Sequence, residues 1–407
     1  MIKMFLREGV VTFLFLIALS TPAHQRIIHI PPDGQPFTQC PVEDCYSFTA
    51  LINNDLLLGN ISNTTIIFQS GTHTISSAIN RVISISSVTN LTLRAADTST
   101  GATVKCNGTI RFAFSYISGL NISGISFDQC GTLTTLNYSD ATSTDMEMFS
   151  LSIAYSCNVT IRAVTISRGQ GNGLLVRCVY GKFVLSQANL TMNNINLNVF
   201  IGDEENISPT SITTITIMDS VLSYGQLTAP FCRYSSGIIL RSLFEKINFL
   251  VEVKLVNITS HDNLNCYDDC DNNMYIEINI KYCTTSLTIE DYTSTYDTAN
   301  RPKHNKCSTS DTGLVLRLNR KYDAVRLVND ECLTNSLTIK NTRFSKSGVY
   351  ILTLGFDTEF NIYFCNILIE DAHTGIDIEP KLGCDYHDDD DDDGLIDLSL
   401  DLSLIHI

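Results

Sequence analysis

Residues 158–167 read NVTIRAVTIS. With φ for an apolar residue and x for any other, Val159 to Ile166 is φ-x-φ-x-x-φ-x-φ. Alternation with a period of two marks a strand with one buried side. The one-residue slip at Arg162-Ala163 breaks that period, so two short strands meet there at a corner.

The same frame returns as LNISGISF (Leu120 to Phe127), LTMNNINL (Leu190 to Leu197), LTIKNTRF (Leu337 to Phe344) and IYFCNILI (Ile362 to Ile369). Looser copies begin at Leu91, Ile215, Val253 and Leu287. A second element follows several copies: a turn residue, then Gly, then alternation. It stands at Asn172-Gly173, Ser236-Gly237, Thr312-Gly313, Ser347-Gly348 and Thr374-Gly375, with Asn272-Asn273 as a version without Gly. Gly and Asn are expected there to supply the positive φ of a sharp corner.

Three short strands separated by corners make one coil of a parallel β-helix, an all-β solenoid. A single coil cannot bury its apolar side chains, so coils stack and share one core. An antiparallel β-sandwich also alternates. The triplet of strands, rather than a hairpin pair, favours the solenoid. Nine or ten coils at about 4.8 Å each make a rod roughly 45 Å long. The open end of the first coil needs a lid. CYSFTALINNDLLL, Cys45 to Leu58, is expected to form it as a short amphipathic helix.

Composition agrees. Of 407 residues, 44% are apolar, enough for a large core. Ser, Thr, Asn, Ile and Leu dominate, which suits strands and polar turns. The formal net charge of −16 argues against nucleic acid, which needs a positive field.

The first residues carry an address. MIKMFLREG precedes the apolar run VVTFLFLIALS, and Thr21-Pro22-Ala23 offers small residues at the −3 and −1 positions. This pattern reads as a signal peptide over residues 1–23, removed after Ala23. The run is short for a membrane-spanning helix. The 14 Cys, an even number, suit an oxidising compartment. N-x-S/T sequons stand at Asn60, Asn63, Asn90, Asn107, Asn121, Asn137, Asn158, Asn189, Asn206 and Asn257. So many behind a signal peptide read as a eukaryotic secretory glycoprotein.

TTIIFQSGTHTI (Thr64 to Ile75), SVTNLTLRAAD (Ser87 to Asp97), ISGLNISGISFDQCG (Ile117 to Gly131) and NGLLVRCVYG (Asn172 to Gly181) carry a resemblance. On these segments the chain resembles the right-handed parallel β-helix, or pectin-lyase-like, superfold. Within it, the chain resembles the uncharacterised secreted β-helix glycoproteins of sponges and other simple animals. The resemblance covers roughly residues 40 to 380 and implies a fold that hosts many functions. Members often cut acidic polysaccharides, with Ca²⁺ and a base in the lyases and paired carboxylates in the hydrolases. The polygalacturonase signatures Asn-Thr-Asp, Gly-His-Gly and Arg-Ile-Lys are absent from the sequence, as are GxSxG, HExxH and a phosphate loop.

Aligning the Gly-led strands gives one candidate face. The first and third residues after Gly point inward; the second and fourth point outward. The second place reads Leu175, Ile239, Tyr275, Val315, Tyr350, Asp377, and the fourth reads Arg177, Arg241, Glu277, Arg317, Leu352, Glu379. Arg177, Arg241 and Arg317 suit carboxylates or sulfates, and Tyr275 and Tyr350 suit sugar rings. The same stripe also fits a face buried under loops or a subunit.

Among the cysteines, Cys40 with Cys45 and Cys266 with Cys270 are expected as local staples. Cys106 and Cys130, about one coil apart, are candidates to bridge neighbouring coils. Zinc is disfavoured because neither short Cys pair has a partner knuckle. Asp268, Asp269 and Asp271 offer oxygen ligands for Ca²⁺, although a solvated acidic loop explains them as well. No other cofactor is expected.

The end of the chain changes character. Asp388 to Asp393 form one acidic run, and LSLIHI (Leu402 to Ile407) matches the translation of a common sequencing-library adapter. Residues 24–385 are read as the β-helix. Residues 386–407 are read as a tail foreign to the natural protein, which is expected to continue beyond about residue 385, with any membrane anchor in that missing part. The whole reads as a secreted or cell-surface glycoprotein, non-enzymatic, recognising glycans or extracellular proteins. A lyase or hydrolase acting on acidic polysaccharides and a structural matrix protein are the alternatives.

Overall fold

The structure is a computed structural model. It describes residues 25–35, 44–52, 61–76, 81–107, 110–131, 149–169, 171–177, 179–193, 195–201, 212–224, 226–227, 237–242, 249–261, 264–265, 272–279, 283–295, 312–319, 335–345, 348–354, 360–370, 376–381 and 400–406. The signal segment, Cys40, Cys266, Cys270, Asp268, Asp269, Asp271, Asn60, Asn137 and Asn206 lie outside the described residues.

The chain is a right-handed parallel β-helix. The stretch that opened the reading forms two strands of one coil, Cys157–Arg162 and Thr165–Ser167, and the third is Asn172–Arg177. Each strand pairs in parallel with its equivalents in the coils before and after. Third strands stack into a 10-stranded sheet from Arg81–Ser86 to Ile376–Lys381. First and second strands form one 18-stranded sheet, folded lengthwise at the corner between them.

That corner rests on one residue. Ala163 has φ 52°, and Gly124, Gln187, Asp219, Asn257, Asp291, Asn341 and Asn366 hold the same left-handed place in their own coils. One left-handed residue bends the chain and exchanges its inward and outward sides, which is the slip visible in the sequence. Some of these residues also pair from coil to coil. Asn257 Nδ2 donates to Asp219 Oδ1 at 2.7 Å, and Asn366 Nδ2 donates to Asn341 Oδ1 at 3.1 Å.

The core is built from inward ladders. Leu91, Leu120, Val159, Phe183, Ile215, Val253, Leu287 and Leu337 stand in one line and are all buried. Burying each such side chain contributes about 1.5–3 kcal/mol.

Two expectations need correction. The frame at Leu190 to Leu197 is displaced. The true copy is Phe183 to Leu190, with Phe183, Leu185, Ala188 and Leu190 buried around the left-handed Gln187. Ile195 instead opens a third strand, Ile195–Ile201. Met192, read as inward, is 55% exposed with φ 57°. Gly173 is the second correction. It lies inside the strand Asn172–Arg177 and not at positive φ; Gly171 takes that role, with φ 127°. Gly173 is needed for space, since a Cβ there would stand 2.7 Å from Asn193 Nδ2 and 2.8 Å from the Asn196 carbonyl oxygen.

The expected lid is a single helical turn, Phe48–Leu51, started by the Ser47 hydroxyl, which accepts from the Ala50 N–H. Phe48 and Leu51 are buried, and the Phe48 ring lies 5.0 Å from Phe68 and 6.2 Å from Phe112. Among the described residues no helix is long and apolar enough to cross a membrane. At the other end, Leu400–His406 forms a strand in register on Phe360–Glu370, pairing Leu400 with Ile362 and Ile405 with Ile367.

Cys106, in the strand Ala102–Asn107, and Cys130, in the turn just after Ile125–Asp128 of the next coil, form a disulfide that bridges neighbouring coils, as their spacing suggests. Cys45 is also disulfide-bonded. Cys157 and Cys365 are free, so the even number of cysteines does not mean that all are paired.

Candidate functional site

The candidate face is the outer side of the 10-stranded sheet. Leu174, Val176, Ile238, Leu240 and Leu314 are buried in the core, which sets the alternate residues on the opposite face. Backbone pairing then fixes the order of each column. The second-place column runs Leu175, Asn198, Ile239, Tyr275, Val315, Tyr350, Asp377. The fourth-place column runs Arg177, Phe200, Arg241, Glu277, Arg317, Leu352, Glu379. By backbone register Arg177, Arg241 and Arg317 share one column of strand positions, and Tyr275 and Tyr350 share the other. The strand Ile195–Ile201 adds Asn198 and Phe200, which the displaced frame had hidden.

The N-terminal part of this face is packed. Leu175 is 2%, Asn198 1% and Phe200 7% exposed. Arg177 is half-buried, with its guanidinium 5.3 Å from the centre of the Phe200 ring. A guanidinium over an aromatic ring is attracted by the ring's negative face. Asn198 Nδ2 donates to Asn172 Oδ1 at 2.9 Å, and Asn198 Oδ1 has no hydrogen-bond partner.

A second group of side chains escaped the sequence reading. It lies at the corner after the second strand, where Gln129, Arg168, Met192 and Tyr224 all have positive φ and stack coil on coil. Met192 is 55% and Tyr224 49% exposed. The Tyr224 ring meets His261 edge-on at 5.1 Å. Arg168 pairs with Asp128, whose Oδ1 also accepts from Ser167 Oγ at 3.0 Å. That partnership raises the Arg168 pKa above its ordinary value. The signal was available: each of the four stands two places after the end of its frame.

The described sequons fall into two settings. Asn107, Asn121 and Asn189 are exposed on strands. Asn63, Asn90, Asn158 and Asn257 occupy left-handed corner positions.

No protein-family model matches the chain, and no match was found among curated proteins. Solved structures with a similar course include the pectate lyase Pel9A, with a TM-score of 0.37, 10% identity and coverage of 89% of this chain and 80% of that one. An alginate lyase from Paenibacillus sp. str. FPU-7 gives 0.33 and 9%, covering 81% and 95%. The A-module of the Azotobacter vinelandii mannuronan C-5 epimerase AlgE4 gives 0.31 and 12%, covering 78% and 89%. Likenesses of this size carry nothing about activity or substrate.

Proposed function

We propose that the chain is a secreted or cell-surface β-helix glycoprotein that binds an acidic glycan along the outer side of its 10-stranded sheet, without cleaving it. The observation that carries this is the backbone register, which sets Arg177, Arg241 and Arg317 in one column beside a column containing Tyr275 and Tyr350. Guanidinium groups pair carboxylates or sulfates through two parallel hydrogen bonds, and phenol rings stack on sugar faces. The signal-like first residues, the sequons and the Cys106–Cys130 bridge support an exported protein.

The test is the triple variant Arg177→Ala, Arg241→Ala, Arg317→Ala on columns of pectin, alginate and sulfated polysaccharides. Lost retention with an unchanged circular dichroism spectrum is the expected result. Unchanged retention rejects this face. New unsaturated or reducing ends in the eluate would instead identify a lyase or hydrolase. Self-association without retention would identify a matrix protein.

A further inference from the structure

Asn63, Asn90, Gly119, Asn158 and Gly181 stand in one column, one per coil, at the entry to the first strands. In the N-terminal coils the amides are linked. Asn90 Nδ2 donates back to Asn63 Oδ1 at 2.9 Å, and Asn90 Oδ1 faces forward, 2.9 Å from where a Gly119 Cβ would stand. Asn158 repeats only the forward half. Its Oδ1 lies 2.9 Å from the place of a Gly181 Cβ, which turns its Nδ2 back toward Gly119, where no side chain stands to receive it. Asn158 is exposed and opens the sequon Asn158-Val159-Thr160.

Tyr155 stands three residues before Asn158, and Tyr116 stands three before Gly119 in the preceding coil. Both occupy the left-handed corner that follows a third strand. Their rings stack at 5.0 Å, 9° from parallel, and Tyr116 is 60% exposed. Ser87 holds the same corner one coil earlier and carries no ring. The two tyrosines, Gly119 and Asn158 thus form one patch, two coils deep and two columns wide. Three residues span at most about 11 Å, so the ring pair is within reach of the first sugars on Asn158. Exposed tyrosines need no partner by themselves. Here an unengaged sequon amide is turned toward the coil that carries the more open ring.

We infer that an N-glycan on Asn158 folds back over the Tyr116–Tyr155 pair, with its first sugars on the exposed Tyr116 ring. This rests on the reading of the chain as an exported glycoprotein and gives one of its glycans a place in the fold. Asn158 Nδ2 loses one proton and bonds the anomeric carbon of a lipid-diphosphate oligosaccharide, whose diphosphate leaves with the electron pair. The linked amide keeps one N–H. Gly119 leaves room beside the linkage, and the C–H face of a pyranose packs on a phenol ring as another apolar surface does.

The experiment uses the full chain secreted from a eukaryotic host, with occupancy of each sequon read by peptide mass spectrometry. Thr160→Val removes the sequon and leaves Asn158 in place. Hydrogen exchange is then compared with and without the glycan at the Tyr116 and Tyr155 amides, which donate to the Ala154 and Arg177 carbonyls. The expected result is an occupied Asn158 and exchange about fivefold slower with the glycan, the size of one aromatic contact. In Tyr116→Ala the glycan is expected to make no difference at Tyr155. No slowing in the unaltered protein, or equal slowing in Tyr116→Ala, overturns the inference. If Tyr116→Ala does not fold, Tyr116→Leu, which keeps bulk without the ring, decides in its place. An unoccupied Asn158 beside other occupied sequons overturns the inference and leaves the glycoprotein reading standing. Absence of glycan from every sequon overturns both.

Discussion

Asn90 Nδ2 donates to Asn63 Oδ1 at 2.9 Å, tying two neighbouring coils at a corner where both residues have positive φ. Asn158 holds the equivalent place two coils on and lies against Gly181, whose absent Cβ would stand 2.9 Å from Asn158 Oδ1. The fold itself therefore favours Asn here, followed by an inward residue and an outward Thr. That order matches the sequon, so at Asn63, Asn90 and Asn158 the Asn has a structural cause that does not depend on glycosylation. Two changes at Asn90 separate its roles. Asn90→Gly keeps the left-handed backbone accessible and loses the hydrogen bond, at a cost of about 1 kcal/mol. Asn90→Ala adds left-handed strain of roughly 1–2 kcal/mol. Urea midpoints, measured on protein made without N-glycans, are expected to fall in the order unaltered, Gly, Ala. A Gly variant less stable than Ala would reject this account.

Gly173 and Asn193 are expected to behave as one unit. Asn193 Oδ1 accepts from the Gly169 N–H at 2.9 Å, and its Nδ2 donates to the Ile166 carbonyl at 3.0 Å and to Asn196 Oδ1 at 3.1 Å. Asn193 is 1% exposed, so Asn193→Ala strands buried partners and costs about 1–3 kcal/mol. Gly173→Ala drives a methyl into the same amide and costs about 1–3 kcal/mol by overpacking. The double variant is expected to lose less than the sum, because removing the amide makes room for the methyl. A double-mutant cycle by urea denaturation checks this; strict additivity would count against it.

The coil was legible because period-two alternation survives in Val159 to Ile166 and its copies, and the core ladders follow from it. What the sequence conceals is which residue at a corner turns left-handed. Asn257 and Asn341 advertise it, but Ala163 and Gln187 carry no such signal. The same blindness displaced the frame at Leu190, because Leu190, Met192, Ile195 and Leu197 alternate as convincingly as Phe183, Leu185, Ala188 and Leu190. Only burial separates the two readings. One consequence reached the candidate site: without Ile195–Ile201, Arg177 and Arg241 looked adjacent, although Phe200 stands between them. Arg168 and Tyr224 were missed for another reason. Each is one residue per coil at an exposed corner, outside the strands on which periodicity acts.

His73 makes stability depend on pH. Its side chain is 1% exposed, its Nε2 lies 2.9 Å from the Gln69 carbonyl oxygen, and its ring meets Phe68 edge-on at 5.3 Å. Its Nδ1 has no hydrogen-bond partner. Burial lowers its pKa below the ordinary 6.5, against smaller raising effects of the Gln69 carbonyl and the Asp33 charge. The sign follows from proton counting. The unfolded chain takes up a proton near 6.5, while the folded chain resists it until lower pH, so acid favours unfolding. The His73 contribution is complete above the unfolded value and declines as pH falls below it, down to the folded value. The free-energy difference between the unaltered protein and His73→Gln is therefore expected to shift against the unaltered protein from about pH 7.5 to about pH 5.5. Urea denaturation of both proteins across that window measures it. A difference that stays flat, or moves in favour of the unaltered protein, means that His73 is not held neutral in the core.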